Sequence, residues 1–328
     1  MKSYDDLVKG NCEGGWNMAY EHSTLDQQIL DWIKNQVDPQ ATITSIRRLK
    51  GSTSSSLYQI QLHTGNGLQD VVLRKLDNLK WLQEEPDLAL HEAAGLTYAE
   101  RVDVITPQLL AYDAKGDICG VPLVLMSMLA GNVQLKPDNM QKWLDELAKT
   151  LANIHQLDGE GFNWNYYMYQ DLTTFTVPLW TSNPNVWARI ITYAKLSPPA
   201  YQSCFIHRDY HPTNVLFNGE VVSGVVDWLN ACRGPAGVDV GNCRLNLALL
   251  YDVNVADQFL FAYQHHAPEV FVYDVYWDII SVIDFVFGPP TVYPGWEAFG
   301  VTGLTNEMME QRMDAYVQSL AKRLYNSQ

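Results

Sequence analysis

The spacing of apolar residues along this 328-residue chain changes period near residue 130. Before that point, "TITSIRRL", "SLYQIQLHT" and "LQDVVLRKL" carry the alternation of half-buried strands. Gly65-Asn66-Gly67 sits between the second and third, where a hairpin turn belongs. Ahead of them, Leu25, Ile29, Leu30, Ile33 and Val37 fall on one helical face, with Ser23 and Thr24 as cap candidates. Pro86 begins a further helical segment, and "VPLVLMSMLAGN" reads as a strand running into a flexible joint at Ala130-Gly131. Beyond the joint the period is helical. Lys136 to Leu157 is the clearest helix, with Met140, Trp143, Leu144, Leu147, Leu151 and Ile154 along one side. The exceptions are "EVVSGVVDW" and "CFIHRDYHPTNVLF", in which two apolar runs bracket a polar loop interrupted by Pro212. The pattern predicts an α+β fold with two lobes: a small antiparallel sheet lobe over residues 1–130 and a larger, mainly helical lobe over 131–328.

Composition narrows the class. Apolar residues make up 47% and charged residues 18%, as in a folded globular protein. The net charge of −15 and pI near 4.8 argue against a nucleic-acid partner, whose footprint is basic. The same excess draws in cationic small molecules, or does no more than solvate the surface. Cys12, Cys119, Cys204, Cys232 and Cys243 are odd in number and irregular in spacing, which fits a reducing compartment rather than a disulfide or zinc framework. "MKSYDDLVKG" lacks the apolar core of a signal peptide, and no run approaches the roughly 18 apolar residues of a membrane span. The expectation is a cytoplasmic protein with no membrane partner. The sequence sets no oligomeric state.

The polar loop carries the chemistry. Asp209, Asn214 and, at the end of the next strand, Asp227 supply an acid, an amide oxygen and a second acid. Such hard oxygens suit Mg2+, which takes few protein ligands and completes its shell with water and phosphate. Phosphoryl transfer asks a protein for metal-held phosphates and an acid that orients the attacking hydroxyl and accepts its proton. Asp209 suits the acid, and Asn214 and Asp227 suit the metal. Asp, Asn and Pro are also ordinary turn residues, so the front of the chain decides.

There, "LKGSTSSSLYQI" places Gly51 and Ser52, Ser54 and Ser55 between two strands, where backbone N–H groups and hydroxyls can meet phosphate. The end of "DVVLRKL" offers Arg74 and Lys75, which alternation sends to opposite faces, so one of the two points at a nucleotide. Glu92, on the following helix, is the partner that would fix such a cation.

Together these residues resemble the aminoglycoside phosphotransferase-like kinases, relatives of choline, homoserine and methylthioribose kinases, from about residue 25 to residue 250. The resemblance rests on "GSTSSSLYQI", "VVLR", "HEAA", "PLVLMSMLAGN", "LAKTLANIHQLD", "FIHRDYHPTNVLF", "GVVDW" and "GPAGVDVGN" in that order. It implies a bilobal protein-kinase-like fold with ATP and Mg2+ in the cleft between the lobes. It implies Arg74 as the nucleotide cation, Met126 and Met128 at the adenine, Asp209 as catalytic acid, Asn214 and Asp227 on metal, and Asp239 as structural. The phosphate loop departs from the family by having one glycine, and Ser55 where asparagine is frequent. Trp228 after Asp227, the lack of an Ala-Pro-Glu segment and His211 two residues after Asp209 go against a protein kinase. His207 is read as a brace for the loop and His155 as a packing residue, while Arg208 is left unassigned.

The resemblance implies a small-molecule acceptor with a hydroxyl, either aminoglycoside-like or another metabolite. Asp274, Asp278, Asp284 and Glu297 are candidate partners for an acceptor amine, and Trp277, Tyr293 and Trp296 for stacking. Those positions also recur at ordinary helical spacing. A nucleotide-binding regulator of the same fold that has lost transfer is the competing reading.

Overall fold

The computed structural model describes residues 25–50, 55–196 and 198–326. Cys12, Ser23, Thr24, Gly51, Ser52 and Ser54 lie outside the described residues. The chain divides into two compact units, one ending at Glu100 and resuming over Thr106–Leu129, the other made of Arg101–Ile105 and the chain from Ala130 onward.

The first unit is built on a five-stranded antiparallel sheet. Its strands are β1 (Thr42–Arg48), β2 (Ser56–Thr64), β3 (Gly67–Lys75), β4 (Leu109–Asp113) and β5 (Leu123–Ser127), in the order β1-β2-β3-β5-β4. The β2–β3 hairpin closes at Thr64 and Gly67, where a φ of 110° makes glycine the residue of least strain. One face of the sheet supplies Ile60, Leu62, Val71, Leu73, Leu123 and Leu125 to a core that α1 (Gln27–Val37) closes with Ile29 and Ile33. Two helices follow β3: α2 (Leu79–Glu84) and α3 (Leu88–Ala99). α3 is buried over Leu88, Ala89, His91, Glu92, Ala93, Gly95, Leu96 and Ala99, a set too broad for a one-sided helix.

The second unit begins with β6 (Asn132–Val133) and α4 (Met140–Ile154). The helix expected from Lys136 starts four residues later because the Asn139 side chain accepts the Lys142 N–H at 3.1 Å and caps it there. α5 (Pro184–Ala194) precedes β7 (Ser203–Ile206), β8 (Val215–Asn218), β9 (Val221–Val225) and β10 (Cys232–Pro235). β6, β8 and β9 form one small sheet, and β7 pairs antiparallel with β10. "CRGP" has no strand pattern of its own; it is a strand because β7 is there to pair with it.

The remaining helices are α6 (Ala236–Leu250), α7 (Val253–His266), α8 (Val275–Phe285), α9 (Pro294–Ala298) and α10 (Asn306–Asn326). α6 is the axis of the unit and packs against α7, α8 and α10. A Cβ on Gly237 would lie 2.4 Å from the Trp277 ring, and one on Gly241 would lie 2.8 Å from the Trp277 carbonyl oxygen. The two glycines let α8 approach α6 this closely. Among the described residues no helix is long and apolar enough to cross a membrane.

Candidate active site

The loop between β7 and β8 is held by its backbone. Asp239, buried in the first turn of α6, accepts the His207 N–H at 2.7 Å on one carboxylate oxygen and the Arg208 N–H at 2.6 Å on the other. His155 Nε2 lies 3.1 Å from the same carboxylate, and its Nδ1 lies 2.7 Å from the Tyr263 hydroxyl. His155 is therefore more than the packing residue expected. Its two ring nitrogens fix the group that fixes the loop. His207 donates from Nε2 to the Val226 carbonyl at 2.9 Å and accepts the Asp209 N–H on Nδ1 at 3.3 Å. Both ring nitrogens are thus used on backbone.

Asp209 leaves this brace half-buried. Burial pushes its carboxyl up to about 7, and the like charge of Asp227 adds to the shift, against His207 and Asn214, which pull the other way. The Asn214 amide donates to the Asp209 backbone carbonyl at 2.9 Å, and the Val226 N–H donates to the Asn214 carbonyl at 2.9 Å. The loop is thereby tied to the strand end that presents Asp227. Arg208 and Asp227 adopt left-handed φ values of 65° and 69°. Non-glycine residues there store about 1–3 kcal/mol each and persist only where surrounding bonds over-determine them. Trp228 supplies part of that constraint: it stacks on Phe205 at 5.7 Å and donates from its ring N–H to the Val225 carbonyl at 3.0 Å.

The donor set fits a hard divalent cation. With its amide N–H spent on Asp209, Asn214 has its side-chain oxygen to offer. Asp227 adds a carboxylate close enough to raise the Asp209 pKa, a repulsion that a cation relieves. His211 is buried and pushed down to about 4 by desolvation, so it is neutral at physiological pH. Its Nε2 stands 3.6 Å from an Asp209 carboxylate oxygen, and the Tyr293 ring packs edge-on against it at 5.8 Å.

In the sheet unit, Arg74 and Glu92 meet. Arg74 Nε donates to Glu92 at 2.8 Å, and a terminal guanidinium nitrogen donates to the Ser55 hydroxyl at 2.9 Å. All three are buried, whereas Lys75 is half-buried on the other face. Met126 is buried in β5, and the Met128 N–H makes a long contact of 3.4 Å with the Asp70 carbonyl.

The expected acceptor acids are dispersed. Asp278 is buried in an ion pair with Arg244 and receives the Tyr316 hydroxyl at 3.3 Å. Asp274 caps α8 through the Tyr276 N–H at 2.8 Å. Asp284 accepts the Gln170 N–H at 3.0 Å and the Tyr166 hydroxyl at 3.3 Å. Only Glu297 of the four is exposed. Trp277 and Trp296 are buried, and Tyr293 is half-buried. Arg208, unassigned from sequence, has its guanidinium 4.3 Å and 4.2 Å from the Tyr167 and Tyr169 ring centroids and donates to the Tyr167 carbonyl at 2.7 Å. No local signal joins residues so far apart in the chain.

A small antiparallel sheet unit followed by a helical unit with a braced Asp209 loop is the protein-kinase-like arrangement of small-molecule phosphotransferases. Residues 45–276 match the phosphotransferase enzyme family, and the chain belongs to that family. Homoserine kinases from Rhizobium etli and Allorhizobium ampelinum are 29% and 27% identical to it over 140 residues. Each match spans 39% of this chain and 42% of the homoserine kinase, so less than half the length of these relatives is covered. The fold is shared with aminoglycoside phosphotransferase APH(4)-Ia, at a TM-score of 0.57 and 14% identity over 89% of this chain and 98% of that one. It is shared too with a Streptomyces rimosus aminoglycoside phosphotransferase in complex with ADP and streptomycin, at a TM-score of 0.53 and 11% identity over 78% and 96%.

Proposed function

We propose that the protein is an ATP-dependent small-molecule kinase that transfers the γ-phosphoryl group to an acceptor hydroxyl. The observation that carries this reading is the Asp209 loop: an acid set beside Asn214 and Asp227, with its backbone pinned by Asp239 and His207. A carboxylate held on so fixed a backbone is suited to orient the attacking hydroxyl and accept its proton. Asn214 and Asp227 are the residues that would hold Mg2+, which when bound neutralises the phosphate charge. Arg74, fixed by Glu92 and Ser55, presents a desolvated cation for the α- and β-phosphates. The phosphate loop of Gly51, Ser52, Ser54 and Ser55 and the adenine contacts at Met126 and Met128 belong to the same proposal.

The acceptor we infer is a small metabolite hydroxyl, with a homoserine-like amino alcohol first and an aminoglycoside second. A polycation needs several free carboxylates, and Asp274, Asp278 and Asp284 are taken up by a helix cap, a buried arginine and a loop amide. The homoserine kinase relatives support the same order. The test is ADP release from Mg-ATP against homoserine, choline, methylthioribose, aminoglycosides, macrolides and simple sugars. Stimulation by an amino alcohol is expected. Stimulation by aminoglycosides alone would reverse the order, and none above the Asp209→Asn blank would remove the catalytic reading.

A further inference from the structure

A cavity of about 760 Å³ opens in the helical unit at the start of β7, whereas the Asp209 loop follows the strand's other end. Its walls come from the residues around Tyr201, the first turn of α6, the chain after α4 and the segment between α7 and α8. Asp209, Asn214 and Asp227 do not line it. The volume falls in the range of roughly 300–1,000 Å³ typical of small-molecule sites.

The lining has a definite chemistry. Tyr201 and Trp277 meet edge to face with centroids 5.3 Å apart and planes at 88°, and Phe271 joins them in the wall. Apolar surface faces water around the opening: Tyr201 is 50% exposed, Val270 60% and Val272 81%. Asp158 and Glu269 are exposed among the lining residues. The lining contains no lysine or arginine among the described residues.

The half-exposed Tyr201 ring attracts a cation, the exposed carboxylates of Asp158 and Glu269 add net charge, and the apolar opening takes a hydrocarbon substituent. An anion meets like charge here, and a neutral molecule gains the apolar part alone. We propose that this cavity is a second ligand site, separate from the phosphoryl-transfer loop, for an organic ammonium carrying an aryl or alkyl group. The cavity also reaches His155, so its occupant lies beside the residue bonded to Asp239.

The experiment titrates the full chain with benzyltrimethylammonium, following tryptophan fluorescence and backbone hydrogen–deuterium exchange. Saturable binding is expected, with protection confined to residues 199–204 and 267–272. Tyr201→Ala, at a half-exposed side chain, is expected to weaken binding about fivefold or more with the unfolding midpoint near that of the unaltered protein. Glu269→Gln is expected to weaken it about twofold to fivefold, and less at high salt. Benzyl alcohol and phenylacetate are expected to bind at least about tenfold more weakly. Absence of saturation at millimolar ligand, equal binding of benzyl alcohol, or protection at residues 207–214 instead would each overturn the proposal.

Discussion

The Asp239 carboxylate receives the N–H groups of both His207 and Arg208, one on each oxygen. A side chain in the first turn of α6 thus sets the backbone of the residue preceding Asp209 and of the one before it. In Asp239→Asn, one oxygen becomes an N–H donor facing another donor. Because the bonds lost are charged and buried, the expected destabilisation is about 2–3 kcal/mol. Phosphoryl transfer should fall further than this alone accounts for, since the loop loses its register. Urea unfolding midpoints and ADP release on the same preparation check both parts.

Arg74 and Glu92 form a pair whose side chains are 4% and 0% exposed. Removing one member leaves a buried charge without its counter-charge, so Glu92→Ala should cost about 3–5 kcal/mol. Replacing both with Met and Leu should restore most of the stability while abolishing nucleotide binding. Isothermal titration with ATP on the double variant separates the two effects. Retained affinity would show that Arg74 has no role toward nucleotide.

Asp278 was a candidate for the acceptor site, yet it lies at 1% exposure against Arg244. Arg244 also bonds Asp257 at 2.6 Å, so part of its compensation survives substitution. Asp278→Asn should therefore destabilise toward the lower end of the range, about 3 kcal/mol. The KM for acceptor should not change. A raised KM at wild-type stability would return Asp278 to the acceptor site.

Asp314 on α10 is 5% exposed and gathers bonds from the Thr181 hydroxyl at 2.6 Å, the Ser182 N–H at 2.9 Å and the Trp187 ring N–H at 2.9 Å. Burial pushes its carboxyl up, but the hydrogen bonds outweigh that and hold it below the usual value. A depressed folded pKa gives stability that is complete above the unfolded value of about 3.9 and is lost as pH falls through the folded one. Thermal scans between pH 7 and pH 3 should show Asp314→Asn less stable at neutral pH, with the gap closing in acid. A constant gap would assign the cost to packing instead.

Local pattern made the sheet unit and the Asp209 loop readable. Alternation along β3 separated Arg74 from Lys75, and the run of "VVSGVV" pointed to Asp227 as the acid at a strand end. What escaped depends on partners remote in sequence. Asp278 and Asp284 looked like free acids because Arg244 and the Gln170 amide lie 34 and 114 residues away; Asp274, which caps α8 through the Tyr276 N–H two residues on, was within reach of a local reading. β10 needed β7, and the tyrosine clasp on Arg208 needed the chain around residue 167. The helix from Lys136 was drawn too long because Asn139 gave no apolar signal, only a cap.

The most direct test of the account is the turnover of Asp209→Asn set against its affinity for ATP. General-base positioning contributes about 10²–10⁴-fold to such a step. The account predicts a fall of kcat in that range, ATP affinity within about threefold, and an unfolding midpoint at or slightly above wild type, because a carboxylate raised by burial costs stability. A kcat within about tenfold of wild type would contradict the assignment of Asp209, and with it the reading of the loop as the site of transfer.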